Sequence, residues 1–401
     1  MRRIYHVFFP TSKTGPNSHC KTRKTDVLKV PMAAMTAMGL MAVLTSGTAL
    51  LLAGCSGKDE KRQDQGRQQT AAASARIDWK MASAFEGSVP LMGTGGVYFS
   101  ETLEKASGGA VRIRFNNPGE LVPALDVFAA TSEGRVDAAW SAAGYWSEKI
   151  PAASLFTGVP FGPDTSEFLA WLYHGGGLRI WQEIYGRHNI VPIPCGAIPP
   201  EASGWFTKPV TSLEQFKGMK IRFYGLGGEA MQKLGASVQL LAAGEIYQAL
   251  ERNMLDATEF SLPSIDRKYN FNKVASHYYF PGWHQQVSIL ELLINRERWN
   301  GLSPADQALI NAVCRDTIVQ SITMGEFRQG EALDYFKNQG VEIHYWPDSI
   351  IQGFKKAYDE VVKEKQAGDA DFRRVYQSYE SFRKKYSPWA GLSRLPSGFQ
   401  D

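Results

Sequence analysis

Several polar groups of this chain lie in short segments that also contain aromatic and turn residues. One of these segments runs from Gly218 to Phe223, and Arg222 lies at the end of its predicted strand. Open α/β sheets bind their ligands beyond the ends of the strands. A guanidinium group at that position is suited to hold a carboxylate through two parallel hydrogen bonds. The spacing fits a surface ion pair of Arg222 equally well, and both interpretations stay open at this point.

Oxygen donors are concentrated in three further segments. Glu259 follows a short predicted strand, Gln285 lies in the segment 281–286, and Glu201 shortly precedes an aromatic pair. Carboxylate, amide and backbone carbonyl oxygens are the ligands of hard cations such as sodium or calcium. Single acidic residues in loops are more often only solvated, so composition alone is a weak indication of a metal site. The pair Glu201 and Glu259 would also suit acid–base chemistry.

Other site chemistries find little support in the sequence. We find no nucleophile elbow, no His-Glu-x-x-His pattern, no phosphate-binding P-loop and no cysteine pair with zinc-ligand spacing. The glycine-rich run 225–228 follows a predicted strand but lacks the full dinucleotide-binding pattern. Among the seven histidines, His284 has the most informative context, beside two glutamines. We expect a surface or core role for His284 rather than a catalytic one.

The N-terminal region has the three parts of an export signal. Seven Lys and Arg residues precede an uncharged stretch from Val30 to Gly54, which ends in small residues directly before Cys55. This arrangement resembles the lipobox of bacterial lipoproteins. We therefore predict that residues 1–54 are a signal peptide and that Cys55 is lipidated as the first mature residue. An uncleaved transmembrane anchor is the alternative, since about 20 apolar residues span a bilayer.

The signal region dominates the charge of the whole chain. Residues 1–54 carry seven basic residues and one acidic residue, so the rest has a net charge of −2 although the whole chain has +4. A strongly basic surface for nucleic acid is thus not indicated. Cys195 and Cys314 are the cysteines that follow Cys55. An oxidising compartment would permit a bond between them, but we expect two unpaired buried thiols.

The chain after Cys55 divides into a tether and a folded part. Residues 55–76 contain no large apolar side chain and are predicted to be a flexible tether. From Ile77 onward, strand patterns alternate with helix patterns, which predicts an α/β fold with mainly parallel strands. We assign residues 77–199 to lobe I and 200–283 to lobe II, with part of 284–401 returning to lobe I.

Two longer patterns organise the second half. Residues 304–339 are predicted to form one helix long enough to run along both lobes, and 340–401 a C-terminal helical segment. Residues 127–138 resemble residues 246–257, because each has a helix that ends at Gly134 or Asn253 and is followed by a strand that begins Asp-Ala. The repeat favours two similar lobes, although this unit is common in α/β proteins and coincidence stays open.

Taken in order, the polar segments resemble the periplasmic solute-binding subunits of tripartite ATP-independent (TRAP) transporters. The matching residues are Gly218–Arg222, the run from Ala249 to Glu259, and Tyr279–Trp283. The resemblance extends from Ile77 to about Trp389, and its last two motifs are most similar to the branch that binds 2-oxo acids or lactate with a metal ion. It implies an α/β, two-lobed periplasmic binding protein fold of type II-like topology, closing on an organic acid.

The resemblance also implies roles for individual residues. Arg222 matches the arginine that binds the substrate carboxylate, and Glu259 with the carbonyl of Phe260 matches metal ligands. Glu201 aligns with a glutamine of that branch and Gln285 with an acidic residue, so the two residue types are exchanged and the total charge is kept. The expected sodium or calcium site thus consists of Glu201, Glu259, Phe260 and Gln285. The expected ligand pocket consists of Arg222, Tyr145, Glu201, Trp205 and Trp283.

The leading hypothesis is a non-enzymatic, membrane-tethered periplasmic receptor. It would capture a small 2-oxo or 2-hydroxy monocarboxylate and deliver it to the integral membrane subunits of a TRAP transporter. A homodimer is left open, and nucleic acid is not expected as a partner. The alternatives are an extracytoplasmic metal-assisted lyase or hydrolase that uses Glu201 and Glu259, and a ligand-sensing subunit of a signalling system.

Overall fold

The computed structural model describes residues 76–394 of the chain. The predicted signal peptide, Cys55 and all of the predicted tether except Arg76 lie outside the described residues. Within residues 76–394, every helix is too short or too polar to cross a membrane.

The described chain alternates between strands and helices. The strands are β1 (Ile77–Ser83), β2 (Val111–Asn116), β3 (Ala138–Ala142), β4 (Ile190–Ile198), β5 (Gly204–Phe206), β6 (Lys220–Arg222), β7 (Ser237–Gln239), β8 (Ala257–Thr258), β9 (His277–Phe280), β10 (Ser288–Asn295) and β11 (Glu342–Tyr345). The helices are α1 (Met92–Ala106), α2 (Val127–Ser132), α3 (Ser154–Thr157), α4 (Thr165–His174), α5 (Gly177–Gly186), α6 (Gly225–Lys233), α7 (Ala243–Glu251), α8 (Pro263–Asp266), α9 (Arg296–Asn300), α10 (Pro304–Asn338), α11 (Asp348–Gly368) and α12 (Ala370–Ser393).

The strands form two sheets, and each sheet is the centre of one lobe. Lobe I is built on the sheet β2-β1-β3-β10-β4, and lobe II on the sheet β11-β9-β5-β8-β6-β7. In lobe I, β1 is parallel to β2 and β3, whereas β10 is antiparallel to β3 and β4. In lobe II, β6 is parallel to β7 and β8, whereas β5 is antiparallel to β8 and β9. The parallel units β2-β1-β3 and β7-β6-β8 therefore have the same order.

The chain crosses between the lobes after β4 and after β9, and α10 then leads from lobe I to β11 of lobe II. In each sheet, one antiparallel strand directly follows a strand of the other lobe. Strand β5 of lobe II follows β4 of lobe I, and β10 of lobe I follows β9 of lobe II. The two segments of the weak sequence repeat occupy equivalent positions. Each helix, α2 or α7, is followed by a left-handed residue, Gly134 at φ 74° or Asn253 at φ 56°, and then by β3 or β8.

Helix α10 connects the two lobes along most of its length. It packs on β4 and α1 of lobe I and on α8 of lobe II. Ser303 caps its first turn by accepting a hydrogen bond from the backbone N–H of Asp306. The guanidinium of Arg76 donates to both oxygens of Asp306 at 2.8 and 2.6 Å, so the described chain begins against this helix end.

The expectation of unpaired thiols is wrong, because Cys195 of β4 and Cys314 of α10 form a disulfide. The two residues are 119 positions apart in sequence, and they meet because α10 lies directly on β4. The segment predicted as helical from residue 340 also begins differently. Residues 342–345 form β11, which pairs in parallel with β9 at the edge of lobe II.

Each lobe also has a fully buried acid that is hydrogen-bonded to a tryptophan. In lobe I, Glu291 of β10 accepts a hydrogen bond from Trp146 Nε1 at 2.7 Å, and burial raises the pKa of Glu291 to about 8. In lobe II, Asp266 of α8 accepts from Trp205 Nε1 at 2.9 Å and from Tyr278 Oη at 2.8 Å. Burial raises the pKa of Asp266 to about 8 as well.

Candidate carboxylate and metal site

A small cavity lies between the lobes, where strands β3, β4, β6, β8 and β10 end or begin. Its volume is about 20 Å³, which is room for about one water molecule. Its walls come from both lobes and from the crossing segments. The lining residues are Phe85, Met92, Ala142, Tyr145, Ile198, Glu201, Arg222, Tyr224, Phe260, Gln285, Ser288 and Leu290.

Arg222 is the last residue of β6, and its side chain is buried. The pairing of β6 with β8 places Arg222 opposite Thr258, so the next residue, Glu259, lies beside the guanidinium. Arg222 Nη1 donates to the backbone oxygen of Glu259 at 2.7 Å and to Glu259 Oε2 at 2.8 Å. Arg222 Nε has no hydrogen-bond partner among the described residues. The interpretation of Arg222 as a surface residue is therefore wrong, although its ion pair is real.

Three further charged groups meet beside Arg222. His284 Nε2 lies 3.4 Å from Glu259 Oε1 and 3.6 Å from Glu201 Oε2. The side chains of all three residues are 1% exposed. Ser261 Oγ donates to Glu201 Oε1 at 3.2 Å. Within residues 76–394, neither Glu201 Oε2 nor Glu259 Oε1 has a hydrogen-bond partner.

The protonation of this cluster follows from burial and from mutual contact. Burial lowers the pKa of His284, but the carboxylates of Glu201 and Glu259 outweigh it and raise the pKa to about 9. Burial raises the pKa of Glu201 to about 7, and the nearby Glu259 adds to the rise while His284 opposes it. Glu201 therefore gains or loses a proton near neutral pH, whereas His284 stays protonated there.

The donor set fits a cation. A buried carboxylate oxygen without a partner is costly, and a metal ion satisfies it. The ligand atoms of Glu201, Glu259 and His284 all lie within 4.8 Å of one another. Gln285 and Phe260 line the same cavity. The predicted metal residues thus lie together, and His284, for which we expected a surface or core role, lies among them.

Tyr145 lines the cavity from lobe I. Its ring packs edge-on against Tyr224 with centroids 5.2 Å apart, and burial raises the pKa of its phenol to about 12. Tyr224 was not predicted, although it lies two residues after Arg222. Its hydroxyl accepts a hydrogen bond from the backbone N–H of Gly144 at 3.0 Å, across the two lobes. A Cβ on Gly144 would lie 2.4 Å from the Tyr224 ring, so this close approach requires glycine.

Trp205 and Trp283 do not appear among the residues that line the cavity. Trp205 stacks on Tyr278 at 3.9 Å in the core of lobe II, on the side covered by Phe336 of α10. Trp283 stacks on Phe354 of α11 at 4.6 Å. Both tryptophans pack beneath residues of the site rather than facing its interior.

A wider surface groove of about 550 Å³ lies between α6 and α11. Four of its charged side chains are paired, Lys233 with Glu364 at 2.6 Å and Lys365 with Glu229 at 2.9 Å, and the fifth is the carboxylate of Asp369. The lining residues therefore carry no surplus positive charge to hold an organic acid, so the small inter-lobe cavity is the better candidate.

A family model and a curated relative each match most of the chain. Residues 87–369 match the DctP family of bacterial extracellular solute-binding proteins, family 7. A monocarboxylate 2-oxoacid-binding periplasmic protein of Nostoc sp. is 33% identical over 321 residues, covering 80% of this chain and 87% of that protein.

Two solved TRAP periplasmic solute-binding proteins have the same fold. One, from Colwellia psychrerythraea with bound calcium and pyruvate, gives a TM-score of 0.76 at 30% identity and covers 79% of this chain and 97% of that chain. The other, from Pseudoalteromonas atlantica with bound sodium and pyruvate, gives a TM-score of 0.76 at 28% identity over the same shares. These homologous structures bind calcium or sodium together with an organic acid. The two-lobed fold, the family match over well over half of the chain and these relatives together establish that the chain belongs to the DctP family of TRAP transporter solute-binding proteins.

Proposed function

We propose that this protein is a receptor that captures a small 2-oxo or 2-hydroxy monocarboxylate together with a sodium or calcium ion. It would then deliver the acid to the membrane subunits of a TRAP transporter. The observation that carries the proposal is the buried guanidinium of Arg222, which lines the inter-lobe cavity. Among residues 76–394, its Nε and the neighbouring carboxylate oxygens of Glu201 and Glu259 have no hydrogen-bond partner.

The charges of the cavity explain why an acid would bind together with a cation. Burial of a carboxylate requires a positive partner. The charge of Arg222 is largely balanced by Glu259, to which it is hydrogen-bonded. At neutral pH the second positive charge beside Glu201 and Glu259 is the protonated His284, and a hard cation bound between the two carboxylates would take over this charge and also contact the acid. An acid with an oxygen on its second carbon can offer two oxygens to one ion.

The proposed metal ligands are Glu201, Glu259, the carbonyl of Phe260 and Gln285. Arg222 and Tyr145 would hold the organic acid. The phenol of Tyr145 keeps its proton at neutral pH, because its pKa is raised to about 12, and it can therefore donate a hydrogen bond. We assign this role to a receptor and not to an enzyme because the family consists of substrate-binding receptors.

Ligand access would require the lobes to part. The cavity volume of about 20 Å³ is too small for a molecule of several heavy atoms. Tyr224 bridges the lobes through its bond to Gly144, and residues of both lobes line the cavity. A ligand that contacts both lobes stabilises the closed arrangement over the open one.

We also propose that Cys55 carries a lipid that holds the receptor at a membrane. Twenty residues separate Cys55 from Arg76, the first residue that the structure describes. The intact mass of the membrane-extracted protein tests this assignment. Retention of residues 1–54 would contradict it and favour a transmembrane anchor.

Titration calorimetry with matched ligands tests the receptor proposal. Pyruvate and lactate should bind in buffer that contains calcium, and propionate, which lacks the second oxygen, should bind at least about tenfold more weakly because it cannot chelate the ion. Pyruvate affinity should also fall when calcium and sodium are both removed. Equal affinity for pyruvate and propionate would contradict the chelate. Failure of all three acids to bind would contradict the receptor role.

A further inference from the structure

A second group of potential metal ligands lies at the outer edge of lobe II. His277 is the first residue of β9, and Glu342 and His344 lie on the neighbouring edge strand β11. The parallel register pairs Glu342 with His277 and His344 with Tyr279. In the strand order β11-β9-β5-β8-β6, the edge strand β11 is separated by β9 and β5 from β8, which precedes Glu259, and from β6, which ends at Arg222.

The three side chains converge on one point. His277 Nδ1 lies 3.0 Å from His344 Nε2 and 3.5 Å from Glu342 Oε2, and His344 Nε2 lies 3.7 Å from the same carboxylate oxygen. Zinc bonds of about 2.0–2.1 Å in a tetrahedron separate neighbouring ligand atoms by about 3.3 Å. The three measured separations bracket that value, so one ion fits between the ligand atoms with only small side-chain movements.

The two imidazole rings are held in place by packing. The ring of His344 stacks on Tyr279 with centroids 4.7 Å apart and an interplanar angle of 19°. His277 is buried at the start of β9. Glu342 is mostly exposed. Rigid nitrogen ligands and one adaptable carboxylate leave at least one coordination position open to solvent.

We propose that His277, Glu342 and His344 bind a divalent transition-metal ion, with zinc as the preferred ion. Two imidazoles and one carboxylate favour zinc and its neighbours over calcium and sodium, which prefer oxygen ligands. The edge group has two imidazoles and one carboxylate, whereas the group between the lobes has one imidazole and two carboxylates. A bound ion would connect β11 to β9. Strand β11 is the edge strand that follows α10, and the chain crosses back to lobe I after β9.

Zinc titration of the full-length receptor without a polyhistidine tag tests the proposal. The wild type should bind one Zn²⁺ at this edge, measured by calorimetry with ZnCl₂ and by the visible absorption of Co²⁺ as a substitute. His344→Gln should weaken zinc binding by at least about tenfold, because loss of even an outer-shell partner of a metal costs about 10–100-fold in affinity. Zinc should raise the thermal unfolding midpoint of the wild type and not that of His344→Gln, since an ion that binds only the folded state stabilises it.

Two control variants locate the bound zinc. His174→Gln removes an exposed histidine at the end of α4 in lobe I and should leave zinc affinity unchanged. Glu259→Gln removes a carboxylate of the inter-lobe site and should also leave it unchanged. If Glu259→Gln abolishes zinc binding and His344→Gln does not, zinc occupies the inter-lobe site and the proposal is overturned. Absence of zinc binding by the wild type would overturn it as well.

Discussion

The two lobes contribute different chemistry to the cavity between them. Lobe II supplies charge through Arg222 and Glu259 at the ends of β6 and β8. Lobe I supplies mainly apolar walls. They are Phe85, Met92, Ala142, Ile198 and Leu290. This difference indicates that lobe II recognises the ligand, whereas lobe I covers it and excludes water.

The difference arises from residue type and not from topology. The pairing of β6 with β8 in lobe II is matched by the pairing of β1 with β3 in lobe I, where Ser83 lies opposite Trp140. The hydroxyl of Ser83 is engaged with the backbone of Phe85, at 2.6 and 3.0 Å. Equivalent strand ends thus carry an ion pair in one lobe and locally satisfied, uncharged groups in the other. The same fold unit serves recognition or closure according to its side chains.

Loss of the lobe II guanidinium should have the largest effect on ligand affinity. Arg222→Ala should weaken pyruvate binding by roughly a thousandfold, since truncation of one partner of a buried charge pair costs about 2–5 kcal/mol or more. It also leaves Glu259 buried without its partner, which destabilises the fold. Arg222→Lys keeps the charge but loses the planar two-bond geometry, and it should weaken binding by at least about tenfold. Calorimetry measures both affinities.

Arg112→Ala is the matched control in lobe I. Arg112 of β2 pairs with Glu104 at 2.7 Å and is partly exposed. Its loss should leave pyruvate affinity unchanged, because the pair lies away from the cavity. If Arg222→Lys binds pyruvate as tightly as the wild type, recognition does not depend on the guanidinium of lobe II.

Loss of the disulfide should lower the stability of the fold without changing the affinity for the ligand. Replacement of Cys195 and Cys314 by alanine should lower the free energy of unfolding by about 2–5 kcal/mol, because the bond closes a long loop. The variant should bind pyruvate with unchanged affinity, since the bond joins β4 to α10 and neither cysteine lines the cavity. Urea unfolding and calorimetry test the two statements. A large loss of affinity would show that the bond also positions the site.

The sequence predicted the parts of the site that depend on local pattern. Arg222 and Glu259 were singled out because each lies at the end of a short predicted strand, where such sheets bind ligands, and their individual roles came from the family resemblance. The role of His284 was not found, because it depends on three segments that meet only in the folded chain, at residues 201, 259 and 284. The disulfide was missed for the same reason, since 119 residues separate its cysteines. Trp205 was misplaced because its side chain lies on the face of β5 that packs against Phe336.

Two buried carboxylates, Glu259 of lobe II and Glu291 of lobe I, should respond differently when each is replaced by glutamine. Glu259→Gln should weaken calcium binding in the presence of pyruvate by at least about 10–100-fold, because loss of a direct ligand costs no less than loss of an outer-shell partner. Glu291→Gln in lobe I should leave calcium binding unchanged, since the amide oxygen can still accept the bond from Trp146. Calorimetry with calcium compares the two variants. Equal effects of both would contradict the assignment of metal chemistry to lobe II.

Glu291 also predicts a pH dependence of stability in lobe I. Its pKa is raised from 4.5 to about 8 in the folded protein, so the folded state retains a proton that the unfolded state loses. Its contribution to stability is therefore complete below about pH 4.5 and declines as the pH rises towards 8, by up to about 1.4 kcal/mol per pH unit. Glu291→Gln does not titrate, so its stability relative to the wild type should increase between pH 6 and 7. Urea unfolding at both values measures this, and parallel curves for the two proteins would contradict it.

Tyr145 should have the smallest effect, because lobe I adds only its phenol and the hydroxyl of Ser288 to the described, mainly apolar wall. Tyr145→Phe keeps the ring that packs on Tyr224 and removes one donor, so pyruvate binding should weaken by about 0.5–1.5 kcal/mol, or roughly two- to tenfold. Tyr185→Phe is the control, because Tyr185 is buried in lobe I outside the cavity and its hydroxyl has no hydrogen-bond partner among residues 76–394. An effect of Tyr145→Phe as large as that of Arg222→Lys would mean that both lobes share recognition. No effect would mean that lobe I serves closure alone.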